Sequence, residues 1–174
     1  MSRSPLFLIG ARGTGKTTTA RLIADRIAWN WCDADTLLEE RAGKTIRQIF
    51  AEEGETGFRD LESALLREVA MRQNCVVATG GGVVLRAENR ALLRQGVVVW
   101  LSAPAEVLWQ RMQCDAATFE RRPNLSDGGL AEIEEVLRMR ASLYESCSDW
   151  RIETDGMSPK EVADRIAAWV QAVG

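Results

Sequence analysis

The stretch Gly10-Ala-Arg-Gly-Thr-Gly-Lys16-Thr17 directly follows the apolar run Leu6–Ile9 and directly precedes a helix-like segment over residues 18–28. This order is typical of a phosphate-binding loop. A buried strand ends, the chain turns tightly on glycines, and the first backbone N–H groups of a helix face the turn. Lys16 can then reach the β- and γ-phosphates, and the Thr17 hydroxyl can bind Mg²⁺. The sequence therefore predicts a nucleotide site.

Length and composition restrict the class of protein. The chain has 174 residues, of which 46% are apolar. This is enough for one well-formed core and too little for two ordinary domains. No stretch approaches the ~20 apolar residues of a membrane span, and residues 1–5 lead into the first strand without the apolar region of a signal peptide. We therefore expect a single domain over residues 1–174, no membrane partner, and a cytoplasmic location.

Charge and side-chain chemistry narrow the function further. A net charge of −3 and a pI near 5.2 argue against nucleic acid as the main partner and favour a small molecule, and we expect a monomer. The four cysteines lie far apart in sequence, and no histidine is present to complete a zinc site, so we expect reduced thiols. Without histidine, a general base must be Asp, Glu, Lys or a water that they hold.

Strand-like apolar runs alternate with segments of helical periodicity. Helix starts are indicated by Thr45, by Pro104 and by Ser158-Pro159. Continuous apolar runs suit strands that are covered on both faces, which predicts a three-layer α/β/α fold around a parallel sheet. The predicted strands lie at residues 6–9, 31–32, 75–78, 97–101 and 150–152.

A long segment from Cys114 to Gly129 has no helical or strand periodicity. Loops of this length in compact domains are usually functional lids or disordered segments. The segment contains Arg121 and Arg122.

The acid that would bind magnesium is not where a Walker B motif would place it. The apolar strand over residues 75–78 runs into Thr79 and then three glycines, and the strand over residues 97–101 is followed by Ser102. Asp33-Ala-Asp35 follows the second strand instead. In an extended segment, Asp33 would face the metal and Asp35 the neighbouring cleft. The alternative is that the two acids merely open the next helix.

Three further groups of residues have both a functional and a structural interpretation. Arg59 and Glu62 can pair on one helix face, either as an ordinary salt bridge or so that Glu62 holds the guanidinium for a carboxylate ligand. Thr79-Gly80-Gly81-Gly82 at the end of a strand suggests that something approaches the backbone closely, although a plain turn remains open. Arg138 and Arg140 lie on a helical stretch, where solvated charges are common.

Taken together, the motifs of this chain resemble the shikimate kinase family and follow one another in the family's order from residue 6 to about residue 160. The resemblance implies a five-stranded parallel sheet like that of nucleoside monophosphate kinases, a mobile lid over about residues 114–128, and a substrate-binding region over about residues 33–62. It also implies ATP and Mg²⁺ as cofactors and shikimate as the substrate. The motifs that carry it are Gly10-x-x-Gly-x-Gly-Lys-Thr17, Asp33-x-Asp35, Gly54-Glu55 with Phe58-Arg59-x-x-Glu62, Thr79-Gly-Gly-Gly82, Arg122-Pro123 and Arg140-x-x-Leu-Tyr144.

The same resemblance implies roles for the matching residues. For the nucleotide it implies phosphate contacts by Gly13, Thr14, Gly15, Lys16, Thr17 and Thr18, metal binding by Thr17 and Asp33, and an adenine between Arg111 and the loop from Thr154 to Pro159. For shikimate it implies that Asp35 holds the hydroxyls and accepts the reacting proton, that Arg59 and Arg140 bind the carboxylate, and that Gly80, Gly81 and Gly82 offer N–H groups. Arg122 would close over the transferred phosphoryl group with Lys16, although Arg121 beside it can substitute.

Two other functions stay open on the sequence. A gluconate kinase or nucleoside monophosphate kinase would share the fold, but a nucleotide acceptor needs a base pocket, for which the sequence has no marker. A nucleotide-dependent switch would hydrolyse or bind nucleotide without a metabolic substrate. The chain contains no N-K-x-D element for reading guanine, which weakens the switch.

Overall fold

The computed structural model of the chain describes residues 3–114 and 129–173. Within them, five strands form one sheet in the order β2-β3-β1-β4-β5, and every pair of neighbouring strands is parallel. The five-stranded parallel sheet is therefore confirmed. The strands are β1 (Leu6–Ile9), β2 (Asn30–Asp33), β3 (Cys75–Ala78), β4 (Val97–Ser102) and β5 (Trp150–Glu153).

The central strand β1 is buried on both faces, and its four side chains alternate between two cores. Phe7 and Ile9 belong to one hydrophobic cluster, and Leu6 and Leu8 belong to the other. Successive side chains of a strand point to opposite faces of the sheet, so a continuous apolar run is what a strand between two layers of helices requires. All four side chains are fully buried.

Helices cover both faces of this sheet. Those on the Leu6 and Leu8 side are α1 (Lys16–Ile27) and α7 (Pro159–Val173); those on the Phe7 and Ile9 side are α2 (Ala34–Ala42), α3 (Ile46–Val69), α4 (Ala87–Leu93) and α6 (Gly129–Cys147). The remaining helix, α5 (Ala105–Cys114), packs against α6 through a third, smaller apolar cluster. The three-layer α/β/α prediction is confirmed.

The helix starts follow the sequence signals. Thr45 caps α3 by accepting a hydrogen bond from the Gln48 N–H at 3.2 Å, and the Gln48 side chain accepts in return from the Thr45 N–H at 2.8 Å. The helix is then broken at Gly54, whose φ of 70° and ψ of −174° are not helical. Glu55 and the residues up to Val69 therefore form a separate helical segment, which carries Arg59 and Glu62.

The order of the strands brings two glycine-rich turns together. Because β3 and β4 flank β1, the connection from β3 to β4 crosses over β1, and ligands of such sheets bind beside the carboxyl ends of strands at such a point. The turn after β1 and the turn after β3 meet there. A Cβ atom on Gly81 would lie only 3.4 Å from the carbonyl oxygen of Gly10.

All four cysteines are free thiols. Cys32 and Cys75, which are far apart in sequence, lie on the neighbouring strands β2 and β3, and the interaction of their thiols raises the pKa of Cys32 and lowers the pKa of Cys75 to about 7. Arg72 also helps to lower the pKa of Cys75. Among the helices that are described, none is both long and apolar enough to cross a bilayer.

Candidate active site

The phosphate-binding loop is held in shape by glycines that no other residue could replace without strain. Gly10 and Gly15 have φ angles of 139° and 87°, in the region that side-chain-bearing residues rarely adopt. Gly10 also lies against β4, since a Cβ on it would come within 2.2 Å of the carbonyl oxygen of Leu101. The loop is therefore fixed between the ends of β1 and β4.

Helix α1 begins at Lys16 with its N-terminus open. Its N-cap residue is Gly15, no side chain caps it, and no acidic residue lies in its first turn. A helix start carries partial positive charge and several N–H groups without partners inside the helix. A bound anion would fill the role of the missing cap.

Lys16 and Thr14 stabilise the loop itself. The Lys16 Nζ donates to the carbonyl oxygens of Gly10 and Ala11, both at 2.8 Å. The buried Thr14 donates from its hydroxyl to the Ala11 carbonyl, also at 2.8 Å. Thr14 therefore shapes the loop with its side chain, and its predicted contact with nucleotide would have to come from its backbone.

The predicted metal ligands Thr17 and Asp33 are in contact. The Thr17 hydroxyl donates to the Asp33 Oδ2 at 2.5 Å, while the Asp33 Oδ1 accepts from the Thr36 N–H at 3.0 Å and so caps α2. Only Asp33 is in extended backbone. Asp35 lies in the first turn of α2, so the expectation that both acids occupy an extended segment is wrong. The two acids open a helix and also reach the cavity.

A cavity of about 370 Å³ extends from the phosphate-binding loop to Asp35, Gly81 and Arg140. It contains four cationic side chains and two carboxylates, a composition suited to a polyanion with a divalent cation. In the parts of the chain that are described, no three His, Cys, Asp or Glu side chains form a metal cluster, so a cation here would take other ligands from phosphates and water. The cavity is lined by Ala11, Arg12, Gly13, Gly15, Lys16, Thr17, Thr18, Asp33, Asp35, Thr79, Gly81, Arg111, Met112, Ile133, Val136 and Arg140.

Arg59 does not line this cavity. The residue is 8% exposed, and its Nη1 donates to the Glu62 Oε2 at 2.7 Å. The Nη2 contacts the Glu55 Oε1 at 3.5 Å. The Arg59 Nε is buried and has no hydrogen-bond partner. The predicted pair of Arg59 and Glu62 is thus formed. Because both side chains are buried, the pair is not an ordinary salt bridge on the surface.

The three glycines after β3 have three different surroundings. Gly81 lines the cavity, whereas Gly80 lines a very small neighbouring void of about 10 Å³ together with Asp35 and Glu62. Gly82 is buried beneath Arg59, and a Cβ on it would come within 2.4 Å of the Nη2. The glycine run predicted that some group approaches the backbone closely. At Gly82 this group is the Arg59 side chain.

The two arginines of α6 are in different environments. Arg138 is exposed and pairs with Glu135 at 2.6 Å on the outside of the helix. Arg140 faces the cavity. Only Arg140 of this pair is placed to bind a ligand. Tyr144, one turn further along the same helix, is fully buried and donates from its hydroxyl to the Gly81 carbonyl at 2.5 Å.

Arg111 connects the phosphate-binding loop to the turn after β5. Its Nη1 donates to the Thr154 hydroxyl at 2.9 Å and to the Gly13 carbonyl at 3.4 Å, and its Nη2 donates to the Thr154 carbonyl at 2.9 Å. These bonds occupy the edge of the guanidinium, whereas an adenine would stack on its face. Pro159 is exposed at the start of α7 and does not line the cavity; its contact with adenine stays a prediction.

The sequence named Thr154 and Tyr144, one in the adenine loop and one in the motif that begins at Arg140, but it did not predict their contacts. Both are buried polar residues whose partners lie far away in sequence, and no local pattern indicates such partners. Arg121 and Arg122 lie outside the described residues.

The sequence model of the family named shikimate kinase matches residues 12–171. A shikimate kinase from Rhodopirellula baltica is 42% identical over 163 residues, which cover 92% of this chain and 87% of that protein. The structure of shikimate kinase from Acinetobacter baumannii in complex with shikimate superposes with a TM-score of 0.91 at 34% identity, over 98% of this chain and 94% of the other. A gluconokinase from Sinorhizobium meliloti reaches a TM-score of 0.66 at 15% identity, over 98% of this chain and 93% of the other, which shows a shared fold alone.

Proposed function

The chain belongs to the shikimate kinase family, and we propose that it transfers the γ-phosphoryl group of ATP to the 3-hydroxyl of shikimate in the cavity described above. The products are shikimate 3-phosphate and ADP, in the biosynthesis of chorismate and the aromatic amino acids. One observation carries the assignment of the site. The phosphate-binding residues Lys16 and Thr17 line the same cavity as Asp35, Gly81 and Arg140, so a phosphate donor and a small acidic acceptor would meet there.

We propose that residues 1–174 work as a single kinase domain. Within it, about residues 33–62 would form the substrate-binding region, and about residues 114–128 would form the lid. We also infer a cytoplasmic monomer that uses neither a membrane nor nucleic acid, which agrees with a net charge of −3.

The donor half would bind ATP with Mg²⁺. The first N–H groups of α1 and the ammonium of Lys16 would hold the phosphates, and Thr17 with Asp33 would hold the cation. When bound, Mg²⁺ neutralises negative charge on the phosphate oxygens. The fit is supported by the open N-terminus of α1 and by the Thr17 to Asp33 contact of 2.5 Å. Lys16 would exchange its two carbonyl contacts within the loop for contacts with phosphate.

Asp35 is the group that would act on the acceptor hydroxyl. It lies in the first turn of α2, two residues beyond Asp33, and it lines the cavity. Its carboxylate can accept a hydrogen bond from the attacking hydroxyl, hold it in line with the phosphoryl group, and take its proton. The chain has no histidine, so no imidazole competes for this role.

Two arginines would bind the carboxylate at the far end of shikimate. Arg140 lines the cavity, whereas Arg59 is buried beside Gly82 and has an Nε without a hydrogen-bond partner. A buried donor without a partner costs about 1–3 kcal/mol, and an acidic ligand that reached it would remove this cost. The planar fork of arginine suits a carboxylate better than an ammonium does.

Arg122 is proposed to close over the transferred phosphoryl group, with Arg121 as the alternative. Closure would exclude water, whose attack would waste ATP. Comparing Arg122→Ala with Arg121→Ala decides between them, because the residue that contacts the phosphoryl group should lose kcat to a much greater extent.

The direct test is to measure ATP consumption by the purified chain with and without shikimate in the presence of Mg²⁺. We expect turnover that depends on shikimate and saturates with it. Gluconate and nucleoside monophosphates, tested in the same assay, represent the other kinases of this fold. ATP hydrolysis that shikimate did not change would contradict the proposal and favour a nucleotide switch.

A further inference from the structure

Tyr144 is a fully buried residue that the reaction as described does not use. It follows Arg140 by four positions on α6, so the two side chains lie on the same face of the helix. A buried phenol almost always has a hydrogen-bond partner. Here the partner is the carbonyl oxygen of Gly81, on a different element, at 2.5 Å.

The Gly81 carbonyl differs from those of its two neighbours. The Gly80 and Gly82 carbonyls accept from the N–H groups of Val83 and Leu85, at 3.2 Å and 3.1 Å, within the turn that follows β3. The Gly81 carbonyl instead accepts from a side chain 63 residues away. In a planar trans peptide the carbonyl and the next N–H point in opposite directions, so this bond also fixes the direction of the Gly82 N–H.

The phenol is held from its other side by the core. Its ring stacks on Trp100 of β4 with 5.6 Å between ring centroids. Burial raises the pKa of Tyr144, and the charge of Arg140 and a side-chain interaction with it oppose the rise, as does the charge of Arg59. The charges of both arginines that would bind shikimate therefore favour the ionised form of this hydroxyl.

We propose that Tyr144 is a positioning residue for the acceptor: its hydroxyl ties the Gly81 peptide to α6, and thereby sets the glycine turn and Arg140 at the distance that the carboxylate end of shikimate requires. This inference rests on the proposed function. A tyrosine with only a packing role would need the ring and not the hydroxyl. The two roles are separable, because phenylalanine keeps the ring.

The test is Tyr144→Phe, with shikimate and ATP each varied while the other is saturating. Losing one buried hydrogen bond that orients the acceptor site should raise the KM for shikimate roughly 5- to 10-fold. The KM for ATP should stay unchanged, because the donor half does not depend on the Gly81 carbonyl. A variant with both constants unchanged would overturn the inference.

Trp100→Phe is the matched control, since it weakens the packing on the Tyr144 ring and keeps the hydroxyl. We expect it to lower the melting temperature without changing the KM for shikimate. An equal rise of this KM in both variants would make the effect one of packing and would overturn the inference. If the wild-type chain itself does not respond to shikimate, the proposed function fails; if it does respond and only the Tyr144→Phe prediction fails, this inference alone is refuted.

The wild-type protein offers a check that needs no variant, because Tyr144 is the only tyrosine. The folded state holds the phenolic proton more tightly than the unfolded state, in which the pKa is about 10. The contribution of protonated Tyr144 to the free energy of unfolding is therefore complete below about pH 10. It is lost as the pH rises through the higher pKa that Tyr144 has in the folded protein. The absorbance of tyrosinate should appear only at a pH above that at which an exposed tyrosine ionises, about pH 10. An ordinary titration in the folded protein would show that the buried contact does not exist.

Discussion

The donor and acceptor halves of the cavity are constructed differently. The centre of the donor half is local, since one stretch from Gly10 to Thr17 supplies the turn, the lysine and the start of α1, and only Asp33 and the contact of Arg111 with Thr154 come from elsewhere. The acceptor half is assembled from α2, α3, α6 and the turn after β3, whose residues meet only in the folded chain. The donor half depends on backbone shape, and the acceptor half on buried contacts between side chains.

This difference has a consequence for substitutions. A change in the acceptor half should alter the constants for shikimate and leave those for ATP intact, and a change in the donor half should do the reverse. Variants that affected both constants equally would show that the two halves are not separate. The expected effects below run from the largest to the smallest.

Asp35→Asn should have the largest effect, because it removes the proposed proton acceptor and keeps the shape of the side chain. We expect kcat to fall roughly 10²- to 10⁴-fold, while calorimetry shows ATP binding as in the wild type. Asp60→Asn, at an exposed acid that pairs with Arg86 at 2.8 Å, is the control and should retain activity. Nearly normal turnover in Asp35→Asn would remove Asp35 from its role.

Gly82→Ala should displace the Arg59 guanidinium while leaving Arg59 itself in the sequence. The backbone of Gly82, with φ −97° and ψ 4°, accepts alanine, but the new methyl group would collide with the guanidinium. We expect the KM for shikimate to rise roughly 10- to 100-fold, as for a lost hydrogen bond to a charged group.

The route of this effect can be tested with Arg59→Lys. If Gly82→Ala acts by displacing the guanidinium, it should add little to the shikimate KM of an Arg59→Lys protein, because the two changes remove the same contact. Fully additive effects on this KM would show that Gly82 acts in another way.

Thr154→Val is the corresponding change in the donor half. It removes the hydroxyl that accepts from Arg111 at 2.9 Å and keeps the shape of the side chain. The Ser102 carbonyl, to which this hydroxyl donates, keeps its bond from the Thr154 N–H at 2.8 Å, so we expect little loss of stability. The KM for ATP should rise about 2- to 10-fold, with shikimate unaffected. Ser102→Ala, which removes a buried hydroxyl outside the cavity, should change neither constant.

Arg138→Ala should have no measurable effect on activity or melting temperature, because its side chain is 73% exposed and its pairing with Glu135 is a surface contact. Arg140→Ala, two residues further on, should greatly weaken shikimate binding. A loss of shikimate binding in Arg138→Ala would show that the outer face of α6 also belongs to the acceptor site.

The sequence correctly predicted those features of the fold and the site that depend on residues close together in the chain. The strands, the phosphate-binding loop and the pairing of Arg59 with Glu62 follow from periodicity and short spacings, and all are present. The sequence could not show what approaches Gly82, since Arg59 comes from another element, 23 residues earlier in the chain. It also placed Asp35 in extended backbone, because the spacing of two acids does not reveal that the first one ends a strand and caps the next helix.

Asp33 uses both carboxylate oxygens at once, one toward Thr17 and one toward the Thr36 N–H that begins α2. A cation that binds Asp33 therefore acts on the same turn that carries Asp35. If Asp33 holds the cation as proposed, this single acid couples the two halves, and the bound metal–nucleotide complex should change the affinity for shikimate. Shikimate would change the affinity for the nucleotide by the same factor, whichever of the two binds first.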